Sequence, residues 1–392
     1  MKNILYLTFY FEPDLCAGSF RNTPLIKELA ILSKGKASID VLTTLPNRYN
    51  TFNAEAPEFE KRDNYSVYRV RIPKHQSGMK DQILSFQKYY REVLNLTKNK
   101  KYDLVVASSS RLFTAYLGYQ IAKKHEIPLY LDIRDIFYDT IEDVLSNGLS
   151  KSLSLPIIKQ IEKKTFSYAK HINLISGGFK NYFKPYSQAD YTYFPNGIDE
   201  EFIVNTKSTP HTELEEKKIR TIVYAGNIGE GQGLHKIIPQ AAQKLKYTHQ
   251  FHIIGDGGAR QKLENEIQKL ELENIMLSKP IRRAELMEIY KQADFLFVHL
   301  NNYKAFEKVL PSKIFELATF SQPLIAGVSG YAANFIQDNI ENSILFEPCN
   351  ADQLVDKLSN FNYTRLNREN FIEKFKRKNI NKEMALSILS YL

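Results

Sequence analysis

The chain has 392 residues, of which 43% are hydrophobic and 25% charged, and a net charge of +9. That balance excludes the disordered and collagen-like classes, and the length exceeds what one hydrophobic core usually serves, so two domains are expected. Residues 1–199 hold 28 Lys and Arg against 20 Asp and Glu, while residues 200–392 hold 25 against 24, so the basic field belongs to the first half. An anionic partner and a merely soluble basic surface both account for it.

The opening stretch "MKNILYLTFYFEPDLCAG" reads as a buried strand rather than a secretory leader: Thr8 interrupts the apolar run, Glu12-Pro13-Asp14 ends it, and no small-residue cleavage site follows. No run approaches the roughly 18 uncharged apolar residues of a membrane span. Cys16 and Cys349 are the only cysteines, which gives no disulfide framework and no zinc spacing, and points to a reducing, cytoplasmic compartment.

Short apolar runs then alternate with helical patterns, the mark of a parallel sheet covered on both faces. In the first half the strands are expected at Ile4–Thr8, Ile39–Leu42, Val67–Arg71, Leu104–Ala107, Leu129–Asp132, Ile172–Ile175 and Tyr191–Phe194. The first strand leads through Gly18, at a helix start, where the backbone can either approach a phosphate or simply turn tightly. The segment Met79–Tyr102 places Ile83, Phe86, Tyr90, Val93 and Leu94 at helical spacing, with Lys80, Lys88, Arg91, Lys98, Lys100 and Lys101 among them. Such a helix either lies on an anionic membrane or packs its apolar face on its own sheet. After the fifth strand, "LDIRDIFYDTIED" brings Asp132, Arg134, Asp135 and Asp139 to a strand end, as a general base with its neighbours or as an internal Arg–Asp pair.

The polar stretch Val204–Arg220 reads as a linker, after which the pattern restarts with strands at Thr221–Tyr224, Phe251–Ile254, Ile275–Leu277, Phe295–Val298, Leu324–Ala326 and Ser343–Leu345. "VYAGNIGEGQGLHKI" puts Gly226, Gly229, Gly231 and Gly233 between strand and helix, yet matches neither dinucleotide nor P-loop spacing. "IIGDGG" closes the next strand on Gly255 and Gly257, and Arg282 and Arg283 stand at a later helix start. "VLPSKIFELATFSQPLIAGVSGY" reads as a helix opening at Pro311, with Lys313 and Glu316 on one face beside unpaired first-turn N–H groups. The tail from Tyr363 is helical in pattern and is expected to return to the first domain. The expected division is 1–199 and 200–374, with a helix at about 375–392 on the first domain and ligands at the carboxyl ends of the strands, between the two units. No His, Cys, Asp or Glu cluster has metal-ligand spacing.

In order along nearly the whole chain, "YFEPDLCAGSFR", "LDIRDIFYDTI", "LISGGFKNYF", "YFPNGIDEEF", "VYAGNIGEGQGL", "IIGDGG", "ADFLFVHL" and the Val309–Tyr331 stretch resemble family 4 glycosyltransferases, in particular the bacterial branch that builds surface polysaccharides and transfers amino sugars. The resemblance implies the GT-B fold, two doubly wound α/β Rossmann-like domains facing across a cleft, and transfer of a sugar with retention, without a metal, from a nucleotide-diphosphate donor that is expected to be UDP-linked. It implies no cofactor and a glycan or lipid-linked acceptor; peripheral contact with the inner face of an anionic membrane is the expectation from the basic segment Met79–Tyr102, and no nucleic acid is expected as a partner.

By the same resemblance Glu316 matches the second Glu of the family's E-x7-E motif and reaches the donor ribose. Lys308 stands where the first Glu belongs, with Glu307 beside it, and Asn227 stands where the family has a phosphate-binding Arg. Lys313 with Arg282 or Arg283 would restore positive charge at the diphosphate. The implied donor-binding set is Gly18, Asn227, Gln232, Gly255, Gly257, Arg282, Arg283, Leu310, Pro311, Ser312, Lys313 and Glu316, and the implied catalytic set is Asp135, Lys313 and Glu316. Two other readings are weighed: a nucleotide-sugar epimerase of the same architecture, which would turn over a UDP-sugar without acceptor, and a basic nucleic-acid-binding protein, which no recognised module supports.

Overall fold

The computed structural model describes residues 1–14, 16–47, 55–73, 79–109, 112–136, 138, 149–206 and 218–392. These form two units, Met1–Asn196 together with Lys378–Leu392, and Gly197–Arg377.

The first unit is built on eight strands: β1 (Lys2–Thr8), β2 (Ala37–Thr44), β3 (Phe59–Lys61), β4 (Tyr65–Val70), β5 (Leu104–Ser109), β6 (Leu129–Ile133), β7 (His171–Leu174) and β8 (Asp190–Thr192), in the order β3-β4-β2-β1-β5-β6-β7-β8. Every pairing is parallel except β3 on β4. β5 and β6 are buried at every position, as strands covered by helices on both faces must be. All seven strands expected in this half are present. β3 is additional: its three residues, Phe-Glu-Lys, carry no apolar run, and it exists because β4 offers it an open edge. The sheet order reverses at β1 and β5, which makes their carboxyl ends the switch point where the helix Ala17–Leu32 begins.

The core of this unit joins Tyr6, Leu25, Ile26, Val41, Val106 and Tyr130 to Met384, Ala385 and Ile388 of the helix Arg377–Leu389. The helix Met79–Thr97 turns Phe86, Tyr89 and Val93 inward, while Ile83, Leu84 and Leu94 stay exposed. The expected apolar stripe is therefore split between core and surface, and Lys98, Lys100 and Lys101 lie beyond the helix end.

The second unit holds β9 (Arg220–Asn227), β10 (His249–Asp256), β11 (Ile275–Ser278), β12 (Phe295–His299), β13 (Leu324–Gly327) and β14 (Ser343–Phe346), all parallel, in the order β11-β10-β9-β12-β13-β14. Ile222, Ile237, Phe251, Phe297, Ile325 and Leu354 form its core. The chain crosses into this unit at Gly197, earlier than the expected boundary and well before the expected linker, of which residues 207–217 lie outside the described residues. Ile198 explains the shift: it is 1% exposed, its N–H donates to Phe375 O at 2.8 Å, and its own O accepts from Arg377 N–H at 2.9 Å, so the unit begins by pairing with its own last segment. Among the described residues no helix is long and apolar enough to cross a membrane.

Candidate functional site

At the carboxyl edge of the second sheet, the glycine-rich loop after β9 is held from several sides. The Tyr224 hydroxyl donates to Asn227 O at 2.7 Å, Asn227 Nδ2 donates to Gln232 Oε1 at 2.8 Å, and Gly229 N–H donates to the same oxygen at 3.2 Å. Asn301, just past β12, donates its N–H to Gly231 O at 2.8 Å and its Nδ2 to Glu230 O at 2.7 Å, while Lys236 donates to Asn301 Oδ1. His299 Nδ1 donates to Gln232 O at 2.6 Å and its Nε2 accepts from Cys349 N–H at 2.9 Å. Only a neutral ring can do both, and burial agrees, lowering its pKa to about 4 against the opposing pull of Gln232 O. The loop is thus a fixed shape rather than a slack turn.

Gly255 lies beside this loop because nothing larger fits: a Cβ there would stand 1.9 Å from Gly226 O. Gly257 donates its N–H to Asp256 Oδ1 at 2.8 Å, and a Cβ on it would meet Ile228 O. Both glycines therefore serve close packing of the β9 and β10 loops on each other.

The Val309–Tyr331 stretch departs from expectation at its start. The helix runs Lys313–Leu317 and does not open at Pro311. Ile314 N–H reaches Pro311 O and Phe315 N–H reaches Ser312 O, so the chain enters the helix through one tight turn of three-residue bonds. Leu310 is buried, and Pro311 and Ser312 are half-buried. Lys313 Nζ lies 2.8 Å from Glu316 Oε2, with the side chains 29% and 20% exposed. Burial alone would lower the Lys313 pKa, but Tyr290 and Glu316 outweigh it and hold the ammonium charged. The Tyr290 hydroxyl, buried beside that ammonium, is pushed up by desolvation, Lys313 opposing.

The two arginines differ sharply. Arg283 donates to Asp199 Oδ2 at 2.8 Å, lies 3.2 Å from Glu201, and covers the Phe202 ring. Asp199 also takes Arg377, so Arg283 is bound into the base of its own unit. Arg282 is exposed just before the helix Arg283–Gln292. Glu307 is exposed in the turn Lys304–Lys308 and Lys308 is half-buried; Gly330 pins that turn, since a Cβ would lie 2.2 Å from Glu307 O.

In the first unit, an internal Arg–Asp pair does exist, but its arginine is Arg21. Its Nε and Nη2 donate to both Asp132 oxygens at 2.9 and 2.8 Å, and Ser108 and Asn173 complete that carboxylate's shell at 2.8 and 2.7 Å. Burial pushes the Asp132 pKa up, yet Arg21 pulls harder and the net is low. Asp135 is an exposed residue at the strand end, and desolvation by the protein around it pushes its carboxyl up to about 6, with Arg134 opposing. Asp139 lies outside the described residues. Gly18 sits in the first turn of the helix Ala17–Leu32, where a Cβ would stand 3.0 Å from Tyr10 Cβ and 3.2 Å from Arg134 Nη1. Among the described residues no group of three His, Cys, Asp or Glu could hold a metal ion.

Sequence reasoning passed over Arg21, Tyr224, Tyr290, His299 and Asn301. His299 and Asn301 carried a usable signal, polar residues directly at a buried strand's carboxyl end; the other three reveal themselves only through contacts between distant segments.

Residues 206–378 match the family described as glycosyl transferases group 1. WcaI of Escherichia coli (strain K12), named for a glycosyl transferase step in colanic acid biosynthesis, is 35% identical over 100 residues, 26% of this chain and 24% of WcaI, so the match spans about a quarter of that relative. Sucrose-phosphate synthase of Thermosynechococcus elongatus superposes on 100% of this chain and 99% of its own with a TM-score of 0.74 at 13% identity. HepE of Anabaena, solved in complex with UDP, does so over 100% of both chains at 0.67 and 14%. Identities that low speak for the fold, which is GT-B. The fold along its whole length is thus accompanied by a match to the glycosyl transferases group 1 family across 206–378, which is most of the second unit.

Proposed function

We propose that the protein is a retaining, metal-independent glycosyltransferase that moves a sugar, in the closest resemblance an amino sugar, from a UDP-linked donor to a glycan or lipid-linked acceptor in bacterial surface-polysaccharide synthesis. The observation that carries this reading is the coincidence of the family match at 206–378 with Lys313, paired with Glu316 and linked through Tyr224, whose hydroxyl bonds Asn227 O, to the braced Asn227–Gly233 loop. The colanic acid relative and the UDP-bound neighbour support the same direction. The family match favours sugar transfer over the epimerase alternative.

On this reading Lys313 meets the negative charge that develops on the departing diphosphate, with Arg282 rather than Arg283 as the arginine whose guanidinium is free to assist. Glu316 uses Oε2 for Lys313 and has Oε1 to offer a ribose hydroxyl. Asn227 and Gln232, already bonded to each other, present the loop's polar edge to the donor. Asp135, with its raised pKa, is the group to assist the acceptor hydroxyl. Exposed Ile83, Leu84 and Leu94 with Arg91 and Lys98 support a contact with an anionic membrane.

The test is thermal unfolding with UDP-, GDP- and dTDP-sugars, followed by transfer in EDTA with the product's anomeric configuration read by NMR. A UDP-sugar should raise the melting temperature and give a retained linkage. Stabilisation by none of the three would reject the donor site, and inversion or loss of transfer in EDTA would reject the stated mechanism.

A further inference from the structure

Arg134 stands directly after β6, its N–H bonded to Ser109 O at 3.0 Å, at the carboxyl edge of the first sheet. Its guanidinium lies against the first turn of the helix Ala17–Leu32, with Nη1 3.2 Å from where a Gly18 side chain would begin. Its Nε is out of reach of solvent and has no hydrogen-bond partner. Neither neighbouring carboxylate supplies one: Asp132 spends its oxygens on Arg21, Ser108 and Asn173, and Asp135 makes no ion pair with it among the described residues. The helix at its side has no acidic residue in its first turn and no side-chain cap. Burial and the charge of Arg21 both pull the Arg134 pKa down, offset in part by Asp132, Cys16 and Asp135, so the cation is held at a cost.

Arg134 is half-buried, and its Nε, cut off from water with no bonded partner, is unfavourable unless a ligand satisfies it while the rest of the fork stays open to one. Arginine's planar fork fits a phosphoryl group through two parallel bonds, and the unbalanced start of a long helix adds favourable potential for negative charge. We propose that Arg134 is a phosphoryl-recognition residue of the first unit, binding a phosphate group carried by one of the substrates. The identity of that substrate rests on the sugar-transfer reading, while the anion site itself does not. Two molecules carry such a group, a nucleotide-diphosphate donor and a phosphate-bearing acceptor.

The test compares the full chain with Arg134→Met and Arg134→Lys by thermal unfolding and titration calorimetry, using inorganic phosphate and UDP as probes. Phosphate should raise the melting temperature of the unsubstituted protein, should not raise that of Arg134→Met, and should bind at least tenfold more weakly to it, with Arg134→Lys between. Without phosphate, Arg134→Met should melt no lower than the unsubstituted protein, because it removes an uncompensated cation. UDP affinity unchanged in Arg134→Met assigns the phosphoryl group to the acceptor; a parallel loss assigns it to the donor. Equal phosphate affinity in all three proteins, or a large fall in melting temperature for Arg134→Met with no response of the unsubstituted protein to phosphate, overturns the proposal in favour of a packing role. An unsubstituted protein that ignores UDP yet shows Arg134-dependent phosphate binding defeats the sugar-transfer reading and leaves the anion site standing.

Discussion

Arg21–Asp132 in the first unit and Lys313–Glu316 in the second are ion pairs of the same length, 2.8 Å, in very different settings. The first is sealed, 2% and 0% exposed, with every carboxylate oxygen bonded and Arg21 also holding the backbone at Phe194 and Pro195. The second is 29% and 20% exposed and leaves a carboxylate oxygen open. Closure of the shell, rather than distance, separates an ion pair that organises a core from one that can meet a substrate.

The largest effect should come from breaking the sealed pair. Asp132→Ala strands a buried guanidinium and should cost about 3–5 kcal/mol, read by denaturant unfolding; a loss under about 1 kcal/mol would erase the contrast. Next is His299, the other fully enclosed polar anchor. Its pKa is depressed from 6.5 to about 4, so its neutral-state contribution is present above pH 6.5 and is lost as pH falls through about 4, to an upper limit of about 3 kcal/mol. His299→Phe should flatten the stability curve in that window, and an unchanged slope would detach the ring from it.

Glu316→Ala tests the open pair: UDP affinity should fall roughly tenfold, about 1.4 kcal/mol, while unfolding free energy moves by less than about 1 kcal/mol. Full UDP affinity would remove Glu316 from the donor site. The smallest effect sharpens the comparison between the two neighbouring arginines. Arg282→Ala should weaken UDP binding about threefold, and Arg283→Ala should leave it unchanged while loosening the Asp199 contacts, both read by calorimetry.

The strands were legible because a strand buried on both faces must be apolar almost throughout, as in Leu104–Ala107 and Leu129–Asp132. β3 was not, because an edge strand of three residues needs only a neighbour's free backbone. Pattern alone brought Lys313 and Glu316 together, since three residues along a helix is a short and definite distance. It could not tell that Asp132 belongs to Arg21, which is 111 residues away, nor that Arg283 is already taken by Asp199. It also set the helix start at Pro311, two residues ahead of Lys313, where the entry is a turn of three-residue bonds.

Residues 378–392 fill part of the first unit's core, yet residues 197–377 are synthesised before them. At 5–20 residues per second the ribosome takes on the order of ten to forty seconds over that interval. Met384, Ala385 and Ile388 therefore reach Leu25, Ile26 and Tyr130 only after the whole second unit has been made, and that side of the first core stays uncovered until the helix Arg377–Leu389 emerges.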